Sequence, residues 1–445
     1  MAKDRSRTPM KLGAFLYATG HHLAAWRHQD SAERSGFEID DYVRFARLAE
    51  DAKFDLLFLE DGAGIREPDL GIAAQTSRGA HFEPLSLLAA LATQTRHIGL
   101  VGTVSTSYSQ PYQVARTFAS LDHISGGRSG WNLVTSTTDM EARNFSRDRQ
   151  DAHGDRYARA EEFVDVVRGL WDSYEADALV LDRASGRYFD PAKLHALDHK
   201  GRFYSVRGPL NAARSPQGRP VVVQAGSSQA GIDLAARTAE VVFTAAQTLA
   251  DGQDFYRRLK GRMAHFGRSP DELAIMPGVF PVVGRTRGEA EDKFAELQAL
   301  TPDAVALALL GQHLGTGGLD AFPLDEPLPA DLPATEANKG RHALLMKLSR
   351  EENLSLIDLA RRISGARGHW QVIGTAGEIA DVLQERFEGG AADGFNIMPA
   401  TLPGGLEDFV GLVLPELRRR GLARNEYSGR TLRDNLGLLP SGATP

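Results

Sequence analysis

Short apolar runs alternate with amphipathic stretches of helical period along the first half of the chain. Lys11 to Leu16 reads as a buried strand. Asp40 and Asp41 can cap a helix that sets Tyr42, Phe45, Ala46 and Ala49 on one face, the i, i+3, i+4, i+7 spacing of an amphipathic helix. Phe54 to Glu60 (FDLLFLE) is a second strand. Pro84 then opens a helix carrying Leu85, Leu88, Ala89 and Ala92. His97 to Thr103 is a third strand, and Pro111 starts a helix with Val114, Ala115, Phe118 and Leu121, stopped by Gly126-Gly127. Trp131 to Thr135 is the fourth strand. A polar loop follows it, and then a helix with Ala160, Phe163, Val164, Val167 and Trp171 on one face.

The rhythm breaks at residues 175–218, a Gly- and Asp-rich excursion, and resumes at Pro220 to Ala225 with a helix near Ala230 to Glu240. Val241 to Ala245, Ile275 to Val283 and Gly394 to Met398 complete eight predicted strands. A long insertion, about 285–367, is partly helical and carries a Pro-rich loop from Phe322 to Pro333. Residues from about 420 to 445 read as an extended tail. Repeated βα units with apolar strands call for a parallel sheet covered by helices. The expected fold is α/β: one (β/α)8 TIM barrel domain over residues 1–445, enlarged by the two insertions. A doubly wound open sheet is the alternative. No repeat of period 20–50 is visible.

In either fold, ligands sit where strand C-termini open into loops, so the polar residues there are the candidates for chemistry. After the first strand come Ala18-Thr19-Gly20-His21-His22 and Trp26; after the second, Asp61; at the end of the third, Thr103. The fourth strand carries Asn132, and its loop supplies Asn144, His153, Arg156 and Tyr157. Gly226, Ser227 and Ser228 follow the fifth. Unpaired N–H groups at a helix start, with Ser hydroxyls, can cradle a phosphate; the same Ser can simply cap the helix. His21-His22 does not suit one metal ion, because neighbours in an extended segment point to opposite sides. A single pocket His acting as acid/base is the better reading, beside that of a satisfied structural His. Asp61 can bind a ligand or cap a turn, and Trp131 and Trp26 can line a pocket or fill core.

Composition narrows the chemistry. Cysteine is absent, which removes disulfides, thiolate nucleophiles and Cys-ligated metal centres, and suits a reducing cytoplasm. The net charge of -7, without a basic cluster, gives no support for nucleic-acid binding. The basic N-terminus lacks the apolar core of a signal peptide, and no run approaches the roughly 18 apolar residues of a membrane helix. No GxGxxG follows a strand, and GxxxxGK[ST], GxSxG and HExxH do not occur.

Five segments carry a resemblance: GHHLAAWRH (20–28), AEDAKFDLLFLEDG (49–62), the run from Glu83 to Ser136, the run from Glu141 to Ser173, and HKGRFYSVRGPLNAARSPQGRPVVVQAGSSQAG (199–231). They resemble the flavin-dependent monooxygenases that include nitrilotriacetate monooxygenase component A and dibenzothiophene-sulfone monooxygenase, within the bacterial luciferase-like superfamily. The resemblance spans about residues 10–290 and resumes weakly to about 420. It implies a (β/α)8 barrel that takes reduced FMN (FMNH2) from a separate NAD(P)H:flavin reductase and oxygenates a small organic substrate with O2 through a flavin peroxide. It also implies a homodimer or homotetramer. On this match Asp61, Thr103 and Asn132 lie along the isoalloxazine and ribityl chain, and His153, Tyr157, Gly226, Ser227 and Ser228 hold the phosphate end. His21 is matched to proton transfer near the flavin, and His313 to a residue closing over the same pocket. The alkane-oxidising relative has a Cys where this chain has Ala18, which argues against alkane hydroxylation by the same arrangement. The Gly315–Gly318 turn makes the insertion a candidate mobile lid. The rival readings are a deazaflavin- or FMN-dependent barrel oxidoreductase without oxygenation, a metal-dependent hydrolase, and a flavin-binding sensor without turnover.

Overall fold

The computed structural model describes residues 9–32, 36–65, 67–329, 332 and 339–440. The basic start of the chain (1–8), Pro333 at the end of the Pro-rich loop, and the last five positions of the tail lie outside the described residues.

Nine parallel strands form one sheet: β1 (Lys11–Leu16), β2 (Leu56–Leu59), β3 (Gly99–Ser105), β4 (Ser129–Val134), β5 (Val221–Ala225), β6 (Val241–Thr244), β7 (Ala274–Gly284), β8 (Trp370–Thr375) and β9 (Gly394–Ile397). Strands β1 to β7 and β9 are the eight predicted from apolar runs. They close into a barrel, because β6 pairs with β7, β7 with β9, and β9 with β1. β8 is not among the predicted strands. It is not a barrel stave: β7 is 11 residues long, and its second half, Val279 to Gly284, runs beyond β9 and pairs with β8 instead. The open doubly wound sheet is thereby replaced by the closed (β/α)8 barrel.

Inward positions alternate along the strands. Phe15, Leu56, Phe58, Val101, Val223, Phe243, Met276 and Phe280 fill the barrel. Three of these rings, Phe15, Phe58 and Phe243, stand with centroids 4.8–5.5 Å apart. Outside, the helix Pro111–Ser125 ends at Gly126 in the left-handed conformation (φ 70°), as the Gly-Gly stop requires. Trp131 points outward to Phe163 and Trp171 and is fully buried, so it is core. Trp26 is neither core nor pocket; it is 42% exposed on the surface. The helix Ile39–Asp51 buries Tyr42, Phe45, Ala46 and Ala49 as expected, with Glu38 rather than Asp40 or Asp41 at its cap position.

The excursion at 175–218 contains two small antiparallel hairpins, Leu179–Asp182 with Arg187–Phe189 and His199–Lys200 with Ser205–Val206. The insertion between β7 and β8 builds a separate apolar cluster. In it helices Asp303–Leu314 and Leu356–Ala366 bury Leu310, Leu359 and Ile363 with Leu23 from the loop after β1. Among the described residues no single helix is long and apolar enough to cross a membrane.

The tail departs from the expectation of an extended segment. Its helix Leu432–Leu436 closes the N-terminal mouth of the barrel, with Leu432, Leu436 and Leu438 in the interior cluster. Gly99 and Gly130 make room for it: a Cβ on Gly99 would stand 2.3 Å from a Leu432 methyl. Arg433 pairs with Glu240 at 2.5 Å, both largely buried. Burial works to raise the Glu240 carboxyl, but the Arg433 charge and hydrogen bonds outweigh it and hold the carboxyl below its usual range. Replacing Leu432 by Ala should cost about 2–4 kcal/mol in urea unfolding. A loosely attached tail would show no change in midpoint.

Candidate active site

The C-terminal rim of the barrel opens into a cavity of about 1290 Å³. The phenyl rings of Phe15, Phe58 and Phe243 contribute its apolar floor, and the helix Asp303–Leu314 with the turn through Gly318 forms part of its wall. Asp61, Thr103, Asn132, His153, Tyr157, Gly226, Ser227, Ser228 and His313 all line it. Residues separated by more than two hundred positions in sequence are thus gathered at one rim.

Asn132 and Thr103 sit side by side because β3 and β4 pair in register at these two residues. The Thr103 hydroxyl donates to Leu59 O at 2.8 Å, so it accepts from Asn132 Nδ2, also at 2.8 Å. This chain fixes the amide orientation and leaves Asn132 Oδ1 buried with no hydrogen-bond partner among the described residues. A buried acceptor costs free energy unless a donor meets it, so the geometry calls for a ligand that donates there.

Across the rim, two helix N-termini converge. His153 is the first residue of helix His153–Trp171, and its ring lies 4.8 Å from that of Tyr157. Helix Gln229–Thr238 starts after Gly226-Ser227-Ser228, and a Cβ on Gly226 would sit 3.5 Å from the Tyr157 hydroxyl. Ser228 is the helix cap: its Oγ accepts from Gly231 N at 3.2 Å. Capping uses the oxygen lone pair and leaves the O–H as a donor, so the capping and cradle readings coexist. Ser227 is exposed and caps nothing. The buried Arg156 lines the same region and donates to Asp151 O at 2.8 Å. Asp61 is half-buried, with His81 Nε2 3.2 Å from its carboxylate. Asn144 is a staple, donating to Ala63 O at 2.7 Å.

His21 departs from the expectation. It is fully buried and lines neither the main cavity nor the small recess beside it; one ring nitrogen meets Phe15 O at 3.0 Å and the other Arg367 Nη2 at 2.9 Å. Arginine can only donate, so Nδ1 accepts and Nε2 carries the proton. Burial, and then the Arg367 charge, pushes the His21 pKa well below its ordinary value, which keeps it neutral. The side chain that reaches the cavity is Arg367. His22 turns the other way, toward Phe280 and Phe294, so the pair forms no joint site. Among the described residues no group of three or more metal-ligating side chains forms.

Glu60, Arg341, Arg367 and His369 also line the cavity and were not singled out from sequence. Glu60 carried a signal, as the one charge ending the apolar run FDLLFLE. Arg367 and His369 carried none, since only the return of the insertion brings them to the rim.

A parallel eight-stranded barrel with its polar groups at the strand C-termini is an enzyme architecture. The family model for luciferase-like monooxygenases matches residues 14–393. The chain is 48% identical over 438 residues to nitrilotriacetate monooxygenase component A of Aminobacter aminovorans, covering 96% of each. It is 47% identical over 430 residues to N-acetyl-S-(2-succino)cysteine monooxygenase of Bacillus subtilis (strain 168), again covering 96% of each. A riboflavin lyase solved with modified FMN and riboflavin superposes with a TM-score of 0.88 at 33% identity, covering 97% of both chains. The chain belongs to the luciferase-like monooxygenase family.

Ser228→Ala should destabilise the ligand-free protein by about 1 kcal/mol through loss of the cap. Ser227→Ala should leave thermal unfolding unchanged. Equal effects of the two would contradict the division of roles.

Proposed function

We propose that the chain is the oxygenating component of a two-component system. It takes FMN in reduced form from an NAD(P)H:flavin reductase and uses O2 to oxygenate a small organic substrate. The observation that carries the cofactor assignment is the lone Asn132 Oδ1 in the cavity wall. A flavin, with ring N–H groups and ribityl hydroxyls, is rich in the donors this acceptor lacks. Thr103 and Asn132, with Asp61 beside them, would hold the ring and ribityl chain. The N–H groups and hydroxyls of Gly226, Ser227 and Ser228, with His153 and Tyr157, would hold the phosphate, as helix N-termini suit an anion. Bound there, reduced FMN supplies the electrons that activate O2.

The residues of the chain then have three tasks. The phenyl floor and the insertion would shield a bound ligand from water, which suits chemistry that water would divert. The strand-end donors and acceptors fix orientation. His313, on the last turn of its helix and on the cavity wall, is the residue we assign to proton handling, in place of the enclosed His21. The Gly315–Gly318 turn is the proposed hinge of a lid.

The test combines the purified chain with FMN, NADH and a generic flavin reductase. Substrate-dependent O2 consumption is expected with some member of a panel of carboxylates, sulfones and thioethers; binding of a deazaflavin with no O2 uptake for any of them would overturn the reading. In equilibrium titration, Asn132→Leu and the double change Ser227→Ala/Ser228→Ala should each weaken FMN binding by roughly 1–3 kcal/mol. Unchanged affinity in both would remove the cavity assignment.

A further inference from the structure

Arg367 occupies an unusual position. It ends the helix Leu356–Ala366 in the left-handed conformation, φ 52°, which side-chain-bearing residues seldom adopt. Its side chain is only 7% exposed. Nη1 meets Glu60 Oε1 at 2.5 Å and Nη2 meets His21 Nδ1 at 2.9 Å, while the guanidinium carbon stands 5.7 Å and 5.2 Å from the ring centroids of Phe15 and Tyr17. Nη1 and Nη2 each have a partner, whereas Nε is buried with no hydrogen-bond partner among the described residues.

The surroundings say what belongs there. A smaller recess of about 80 Å³ adjoins the main cavity and shares Glu60, Asp61, His313 and Arg367 with it. None of Thr103, Asn132, His153, Tyr157, Gly226, Ser227 or Ser228 lines this recess. Its apolar walls are Leu23, Ile65, Ile72, Val305 and Leu309. The recess carries Arg78 and Arg367 alongside the carboxyl groups of Glu60, Asp61 and Glu67, and Arg367 is the cation it shares with the main cavity. At His21, Arg367 and Arg78 act against Glu60; at His369, Arg341 and Arg367 act first, with smaller contributions from His21 and His313. Beyond burial, which dominates for both histidines, these charges help to keep the rings neutral.

We propose that Arg367 is the specificity-determining residue. It receives a carboxylate of the substrate at the junction of the two cavities while a short aliphatic portion enters the recess, so the substrate class is small aliphatic carboxylic acids. The proposal rests on the main cavity being the cofactor site. Glu60 and His21 are positioning residues: each holds one end of the guanidinium, and the Phe15 carbonyl holds His21. A guanidinium suits a planar carboxylate. A ligand without an acceptor, such as an alkane, would leave Nε–H buried and unmet.

The experiment titrates the FMN-loaded full chain by calorimetry with aliphatic mono-, di- and tricarboxylates, from acetate to nitrilotriacetate, and with their methyl esters. The wild type should bind at least one acid, and its ester at least tenfold more weakly. Arg367→Met should lower affinity for that acid at least tenfold and leave FMN affinity within twofold. Arg367→Lys should recover part of the loss, and Glu60→Gln should show a smaller loss of the same acid-over-ester preference. These two variants decide the matter if the Met variant does not fold. Equal binding of acid and ester, unchanged acid binding in the Arg367 variants, a parallel fall in FMN affinity, or no acid bound by the wild type would each overturn the proposal. Failure of the wild type to bind FMN is a separate result: it removes the cofactor reading, and the same titrations on the cofactor-free chain still decide the role of Arg367.

Discussion

Closure of the parallel barrel is the constraint on which everything else depends. Each strand of a parallel sheet must be followed by a crossover, and closure removes both edges. All eight strand C-termini then face one rim. Here the β6–β7, β7–β9 and β9–β1 pairings complete the ring. That ring places Thr103 beside Asn132 and draws the starts of two helices together across the cavity. The opposite mouth is sealed by Leu432, so the cavity opens at one end only.

The rim divides its labour by direction. On the β3–β5 side stand Thr103, Asn132, the Ser227 and Ser228 hydroxyls and two helix N-termini, with the buried Arg156 beside them, an arrangement that can hold an extended polar molecule with an anionic end. On the β1–β2 side stand Glu60, Arg367 and the enclosed His21, with His369 and Arg341 from the insertion. The first side is built almost entirely from loops directly after barrel strands. The second is completed only when the insertion returns.

This division explains what could be read from the chain. The eight staves were legible because each is a compact apolar run whose core contacts form by strand pairing. Thr103, Asn132, Asp61 and Ser228 were legible because each follows or ends its own strand, so topology alone carries it to the rim. The β8 strand, WQVIGT, was not: it is half-buried, packs outside the barrel, and lacks the uniform apolar signal of a stave. Leu432, Leu436 and Leu438 gave no core signal because they enter the barrel from a short terminal helix rather than along a periodic face. His21 was found as a candidate, but not its direction. That is set by a partner 346 positions away. The Glu60–Arg367 pair, separated by 307 positions, was invisible for the same reason.

The long β7 strand has a structural consequence of its own. Its lower half is a barrel stave, and its upper half is the strand against which β8, the end of the insertion, is laid. The insertion therefore leaves and rejoins the barrel along a single shared strand, like a cassette clipped to one rail. Such a cassette can be lengthened, shortened or exchanged without altering any other stave. Arg341, Arg367 and His369 travel with it, whereas Thr103, Asn132, Tyr157 and Ser228 stay behind. On the roles proposed above, a fold wired this way would let the choice of molecule to be transformed drift independently of the machinery that transforms it.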